Sequence, residues 1–218
     1  MTVTTEQVNA GQAVYSKSML AIYDWLVLRL SNRMIWRCPS KHILALYDRH
    51  VTGNHLDVGV GTGYFLDRCR FPDRPRIGLM DLNPNSLHAA ATLLDRYRPE
   101  VYQVNVLDPI DQVIAPVDSI SLSYLLHCLP GTIRTKGTVF RHLKPLLNQG
   151  GVMFGATLLS GGVHRSAAAK RLMAFYNSKG IFTNDHDDLQ GLHAMLAEHF
   201  PVVRVDVVGC AALFSGHV

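Results

Sequence analysis

The chain has 218 residues, of which 48% are hydrophobic and 17% are charged, and its formal net charge is +4. This length is enough for one sizeable hydrophobic core and short for two ordinary domains, so we expect residues 1–218 to form a single domain. The Lys and Arg residues are dispersed, which argues against a nucleic-acid partner and favours a small molecule.

The start of the chain and its cysteines narrow the class of protein further. Residues 1–12 are polar and lack the pattern of a secretory signal, and the apolar stretches are shorter than a membrane span. We therefore expect a cytoplasmic protein with no membrane partner. The cysteines occur singly, without a CxxC pair, which predicts reduced thiols and no zinc site or disulfide framework.

The first predicted elements are helical. Residues 13–50 are predicted to form two helices interrupted at Cys38 and Pro39, and we expect residues 1–50 to form a helical lid. One side of the first helix carries Tyr15 and Tyr23. These side chains either pack in the core or close over a bound ligand as the walls of a pocket.

After residue 53, short β-branched runs alternate with helical stretches, which predicts an α/β fold with a mostly parallel sheet. We expect residues 53–158 to form a ligand-binding core and residues 160–200 a helical insertion, and the last two strands to form a hairpin. The predicted strands are residues 54–58, 76–81, 101–106, 119–123, 151–158, 202–208 and 211–216. The predicted helices are residues 64–70, 83–98, 132–147, 165–177 and 187–199.

The most informative segment is a strand that runs through a glycine-rich turn into a helix, HLDVGVGTG. Gly59, Gly61 and Gly63 allow a ligand to lie against the main chain, as in nicotinamide and flavin sites that bind a diphosphate. The spacing is not GxGxxG, however, and Asp57 stands two residues before the first glycine. A carboxylate there would repel a diphosphate and suit an ammonium group, such as that of S-adenosylmethionine.

An acidic residue also ends the second predicted strand. Asp81 stands where a carboxylate accepts hydrogen bonds from a ribose diol. Alternatively, Asp81 caps the helix that begins near Pro84.

The motifs DVGVGTG, LMDLNP, NVLD, SLSYLLHCLP and LLNQGGVMF follow one another in this order. Together they resemble the motif set of class I S-adenosylmethionine-dependent methyltransferases, over roughly residues 53–158. The resemblance implies a Rossmann-like sheet of seven mostly parallel strands with an antiparallel C-terminal hairpin and helices on both faces. It also implies S-adenosylmethionine as methyl donor and S-adenosylhomocysteine as product.

The same resemblance implies roles for individual residues. Asp57 and the glycine turn would lie under the methionine moiety, and Asp81 would bind the ribose. The family often has Asp where this chain has Asn105, but Asn can still accept a hydrogen bond from the adenine amino group. The remaining implied cofactor contacts are Leu82, Asn105 and Val106 around the adenine, and Ser123, Tyr124 and Leu125 beside the methionine.

Two histidines are candidates for a general base. His127 follows the fourth predicted strand and titrates near neutral pH, but it could equally bond a loop carbonyl. His186 lies in the insertion, where the neighbouring Asn and Asp residues could instead cap the helix that begins near Asp188. The sequence predicts no metal site.

Three functions remain open at this stage. The sequence favours methyl transfer to an oxygen, nitrogen or carbon atom of a small aromatic or lipophilic metabolite. A non-methylating relative that keeps S-adenosylmethionine for another reaction or for binding is the alternative. A nicotinamide-dependent oxidoreductase is disfavoured by Asp57 and by the glycine spacing. The chain could be a monomer or a homodimer.

Overall fold

The computed structural model describes residues 31–218, and its centre is a seven-stranded sheet. The strands are β1 (Asn54–Val58), β2 (Arg76–Asp81), β3 (Glu100–Gln103), β4 (Val117–Ser123), β5 (Leu147–Leu158), β6 (Val202–Val208) and β7 (Ala211–His217). Their order is β3-β2-β1-β4-β5-β7-β6, and β7 alone runs antiparallel to its neighbours in this sheet. The predicted mixed sheet with a C-terminal hairpin is confirmed.

Helices cover both faces of the sheet. The described helices are α1 (Asn32–Met34), α2 (Ser40–His50), α3 (Tyr64–Arg68), α4 (Pro84–Leu93), α5 (Thr138–Leu143), α6 (Ala167–Ser178) and α7 (Leu189–His199). One hydrophobic core joins α2, α3, α4 and α6 to the sheet, and a second core joins α5 and α7 to the other face. Because side chains alternate along a strand, Leu56 and Val58 of β1 belong to the second core, which turns His55 and Asp57 toward α2.

Local sequence accounts for where two of these helices begin. Asn83 caps α4, since its side chain accepts a 2.9 Å hydrogen bond from the Asn85 amide, and Pro84 occupies the first helical position. Asp188 caps α7 by accepting the Gly191 amide at 2.6 Å. The capping interpretation is therefore confirmed at Asp188.

The continuous helix predicted over residues 132–147 is wrong. Only Thr138–Leu143 is α-helical, and 3-10 turns flank it at Thr135–Gly137 and Lys144–Leu146. Pro145 explains the second turn, because proline lacks the amide hydrogen that would continue the hydrogen bonding of the α-helix.

Other predicted elements end earlier than expected, and two of them differ by three residues or more. The third strand ends at Gln103 and not at residue 106, because the chain leaves the sheet there. It enters a turn in which the Asp108 amide donates to the Asn105 carbonyl. The helix predicted over residues 83–98 ends at Leu93 and is followed by a 3-10 turn.

Part of the predicted N-terminal lid, including Tyr15 and Tyr23, lies outside the described residues. The interruption at Cys38 and Pro39 is present, since α1 ends at Met34 and α2 begins at Ser40. No helix within residues 31–218 is long and apolar enough to cross a membrane. The division into a lid (1–50), a core (53–158) and an insertion (160–200) within one domain stays a prediction.

Candidate active site

The glycine turn connects β1 to α3 at the carboxyl edge of the sheet. Gly59, Gly61 and Gly63 have φ angles of 73°, 53° and 79°, in the left-handed region that favours glycine. A Cβ atom at Gly59 would lie 2.9 Å from Leu125 Cδ1, whereas one at Gly61 would meet nothing within 4 Å. The turn is therefore packed from one side and open to the cleft at Gly61.

Asp81 ends β2 beside this turn. Its Oδ1 accepts the Asn83 amide at 2.8 Å. Burial raises the pKa of Asp81 to about 6, while backbone amides, including those of Gly61 and Val60, act to lower it. Asp81 supports the backbone that leads into α4, but the helix cap itself is Asn83.

Asp57 is a second carboxyl group in the same region, and it is buried, whereas Asp81 is half-buried. The Tyr47 hydroxyl donates to Asp57 Oδ1 at 3.0 Å, and the Ser121 hydroxyl donates to the same oxygen. Burial raises the pKa of Asp57 to about 7; the two hydroxyls lower it, and the charge of Asp81 raises it.

Neither Asp57 nor Asp81 forms an ion pair with a Lys, Arg or His side chain within residues 31–218. Buried carboxylates are costly without a compensating positive charge. The two acidic groups therefore favour a ligand that brings a positive charge, and they disfavour a diphosphate.

An open cleft lies against the turn, with an empty volume of about 780 Å³ that includes space open to solvent. The predicted residues that line it are Gly59, Gly61, Asp81, Leu82, Asn105, Val106, Tyr124 and Leu125. The remaining lining residues are Asn83, Ser86, Val104, Leu107, Cys128, Leu129 and Pro130. The last three follow β4, and the signal that could have found them is the apolar run LLHCLP at the carboxyl end of this strand.

Asn105 uses both ends of its side-chain amide within its own loop. Its Nδ2 donates to Asp108 Oδ2 at 2.8 Å, and its Oδ1 accepts the Leu107 amide at 3.2 Å. A carbonyl oxygen has a second lone pair, so the predicted contact with adenine stays compatible with this loop.

Tyr124 adopts a backbone conformation that is rare for residues other than glycine. Its φ angle is 62°, and its amide donates to the Ala156 carbonyl at 2.7 Å. The Tyr124 hydroxyl donates to Asn32 Oδ1 at 3.1 Å. Such strain concentrates at functional sites, and here it directs the chain from β4 along the cleft. Ser123, the last residue of β4, is not among the described residues that line the cleft.

His127 is buried and held in one tautomer. The Leu158 amide donates to His127 Nδ1 at 3.2 Å, and the Thr157 hydroxyl lies 3.3 Å from the same nitrogen. Nδ1 is therefore the unprotonated nitrogen, and the alternative of a bond from this nitrogen to a loop carbonyl does not hold. Burial, with a smaller contribution from the Lys136 charge, lowers the pKa of His127 to about 3. These features weigh against its role as a general base, which stays a prediction.

His186 is exposed, in the turn that precedes α7. Among the described residues that line the cleft, neither His186 nor His127 occurs. The structure thus brings Asp81, the glycine turn and Tyr124 together, and it leaves the second candidate base at the surface.

Comparisons with known proteins agree with this geometry. A family model described as "Methyltransferase domain" matches residues 56–153. Demethylluteothin O-methyltransferase of Streptomyces thioluteus is 41% identical over 210 residues, covering 96% of this chain and 91% of the relative. The chain belongs to the class I S-adenosylmethionine-dependent methyltransferases.

Further relatives extend this assignment. The Physcion biosynthesis cluster O-methyltransferase of Aspergillus chevalieri is 38% identical, covering 94% of this chain and 93% of the relative. Among solved structures, the N-methyltransferase NodS of Bradyrhizobium japonicum in complex with S-adenosylhomocysteine matches with a TM-score of 0.59 at 14% identity. That match covers 92% of this methyltransferase and 97% of NodS, and it shows the shared fold. The oxidoreductase and non-methylating alternatives are set aside.

Proposed function

We propose that this methyltransferase transfers a methyl group to the hydroxyl oxygen of a small aromatic molecule. The observation that carries the donor site is the pair of carboxyl groups beside the glycine turn, the buried Asp57 and the half-buried Asp81 of the cleft wall, without an ion-pair partner in residues 31–218. S-adenosylmethionine, with an ammonium and a sulfonium group, matches that requirement.

Bound S-adenosylmethionine supplies a methyl group already activated on a sulfonium sulfur, and transfer to an oxygen leaves S-adenosylhomocysteine. Asp57 balances the positive charge of the methionine end, and Asp81 accepts hydrogen bonds from the ribose hydroxyls. Leu82, Asn105 and Val106 flank the adenine, and the apolar parts of this wall exclude water. The roles of Gly63, Ser123, Tyr15 and Tyr23 stay predictions.

An aromatic row leads away from the cleft and supports an aromatic acceptor. Tyr124 in the cleft wall lies 5.5 Å from the His127 ring, which lies 4.6 Å from Phe182. Phe182 in turn lies 4.8 Å from the half-buried Tyr176. His127 and Phe182 are buried and support the row from inside, so the half-buried rings at its two ends, Tyr124 and Tyr176, are the ones on which a planar acceptor can pack. Two of the relatives are named O-methyltransferases, which supports oxygen as the accepting atom.

The acceptor hydroxyl must lose its proton during the reaction. His127 is poorly suited to receive it, because its unprotonated Nδ1 already accepts the Leu158 amide. We therefore assign His127 a positioning role in the wall between the cleft and Phe182. His186 stays a prediction as the base.

The proposal is tested by incubating the enzyme with S-adenosylmethionine and matched sets of phenols, anilines and phenol methyl ethers. Mass spectrometry should detect one added methyl group on phenols and none on the ethers. The Asp81→Asn variant is the control for enzyme-dependent transfer and should lose most of the product. Methylation of anilines without phenols would contradict the assignment of oxygen, and binding of the donor without methylation of any aromatic acceptor would contradict the acceptor class.

A further inference from the structure

A chain of polar side chains, buried except at the half-buried Thr52, links Asp57 to the opposite end of β1. The Ser121 hydroxyl, which donates to Asp57, lies 2.9 Å from His55 Nε2. His55 Nδ1 lies 2.7 Å from the Ser119 hydroxyl, which lies 2.9 Å from that of Thr52. The parallel register of β1 and β4 places His55 beside Ser119 and Asp57 beside Ser121. The pairing of these strands thus builds the chain.

The hydrogens of this chain are directed toward Asp57. Ser121 has a single hydroxyl hydrogen and gives it to Asp57, so Ser121 must accept the Nε2 hydrogen of His55. His55 is completely buried, and burial lowers its pKa to about 3, so the ring is neutral near pH 7. A neutral ring that donates from Nε2 accepts at Nδ1, here from the Ser119 hydroxyl.

The groups that face Asp57 carry no positive charge within the described residues. Tyr47 of α2 donates its hydroxyl, and Asp81 of β2 contributes a second carboxyl group. The thiol of Cys69, which follows α3, is neutral because burial and the charge of Asp57 raise its pKa to about 12. Hydrogen-bond donors therefore stabilise the Asp57 carboxylate without cancelling its charge. A lysine or arginine in their place would hold Asp57 ionised but would repel a cationic ligand.

We propose that His55 is a positioning residue that sets the proton content of Asp57 through Ser121, and that binding of the cofactor displaces a proton from Asp57 to solvent. The inference rests on the proposed function, in which Asp57 faces the positively charged methionine end. Without ligand, the Asp57 carboxyl group holds a proton and is neutral. With ligand, it is ionised and its negative charge is balanced by the positive charge of the ligand.

The experiment is calorimetric titration with S-adenosylhomocysteine between pH 6 and pH 8, in buffers of different ionisation enthalpy. The wild-type enzyme should release a proton on binding at pH 6, release less at pH 8, and bind more tightly as the pH rises. In Asp57→Asn, the number of protons released on binding should be smaller than in the wild type, because Asp57 no longer contributes. Any proton released by Asp81 should still be detected.

His55→Leu and His55→Gln are the matched variants. His55→Leu removes the donor to Ser121, so its affinity at pH 7 should be about three- to tenfold lower, with the difference shrinking at pH 8. The His55→Gln side chain can still donate to Ser121 and should restore the wild-type pH profile. Ser119→Ala, a smaller change at the far end of the chain, should shift the profile in the direction of His55→Leu and serves as the test if His55→Leu does not fold.

Proton release that is the same in the wild type and in Asp57→Asn would overturn the inference. So would pH profiles of His55→Leu, or of Ser119→Ala, that superimpose on that of the wild type. Failure of the folded wild type to bind S-adenosylhomocysteine at any pH would instead overturn the proposed donor site, so the two failures are distinguishable.

Discussion

Lys136 Nζ lies 2.5 Å from Asp187 Oδ2, and both side chains are completely buried. Lys136 lies just before α5 and Asp187 just before α7, and Lys136 also donates to the Thr183 carbonyl at 2.8 Å. The Thr183 amide in turn donates to the His127 carbonyl at 2.9 Å. The ion pair thus ties residues of the helical insertion to the segment after β4 that forms one wall of the cleft.

Breaking this pair should be costly, because the remaining charge would be buried without a partner. We expect Lys136→Met or Asp187→Asn to lower the free energy of unfolding by about 3–5 kcal/mol each, measured by urea unfolding at pH 7. The double variant Lys136→Met/Asp187→Leu leaves no unpaired charge and should recover most of the loss. Single-variant losses below about 1 kcal/mol would contradict the structure of this pair.

Gly61 and Gly150 form a matched pair for testing the glycine turn. Both have positive φ angles, 53° and 78°, and a Cβ atom at either would meet nothing within 4 Å. Alanine at either position should therefore lower the free energy of unfolding by a similar, modest amount, about 1 kcal/mol. Only Gly61 lines the cleft, so only Gly61→Ala should weaken S-adenosylhomocysteine binding in calorimetry. Equal affinities of the two variants would show that the donor does not lie against Gly61.

Because His127 is buried as a neutral ring, we expect the free energy of unfolding to depend on pH below 6.5. Its pKa is about 3 in the folded protein and near 6.5 in the unfolded chain, so the unfolded state binds more protons between these values. Stability should therefore fall as the pH is lowered from 6.5, by about 2–3 kcal/mol from this residue by pH 4.5. Urea unfolding at pH 6.5 and pH 4.5 measures this loss. The free energy of unfolding should fall between these two pH values by about 2–3 kcal/mol less in His127→Gln than in the wild type. An unchanged pH dependence would contradict the buried neutral ring.

Measuring kcat and the pH–rate profile of His127→Gln and of His186→Gln tests which of the two histidines, if either, acts as the general base. If His127 only positions the wall of the cleft, glutamine should leave the pH–rate profile unchanged and lower kcat less than about tenfold, because a general base contributes about 100-fold or more. A larger loss of kcat together with the disappearance of an ionisation from the profile would make His127 the base. The same result for His186→Gln would require the exposed turn before α7 to approach the acceptor.

Much of the fold was predictable because its signals are local. The alternation of β-branched and helical stretches gave β1, β2 and β6 with their observed bounds, and the glycine spacing marked the turn. Asp81 was predictable as a cleft residue because the carboxyl end of β2 meets the turn at the same edge of the sheet. The helical periodicity over residues 132–147 predicted too long a helix, and Pro145 accounts for its early end at Leu143.

Long-range pairings were not predictable in this way. The contact of His55 with Ser119 and Ser121 depends on the register of β1 against β4, which are far apart in sequence. The ion pair of Lys136 with Asp187 likewise joins two loops that only the packing of α5 and α7 brings together. A single sequence carries no signal for either, because both lie outside any local period.

The measurement that tests the central claim most directly is calorimetric binding of S-adenosylhomocysteine to the wild type, Asp81→Asn and Asp118→Asn. Asp118 is an exposed carboxylate that accepts a hydrogen bond from Asn148, so its variant controls for the loss of one negative charge. The account predicts saturable binding to the wild type and to Asp118→Asn, and at least tenfold weaker binding to Asp81→Asn. No binding to a folded wild-type protein, or equal binding to all three, would contradict the donor site at Asp81 and the glycine turn.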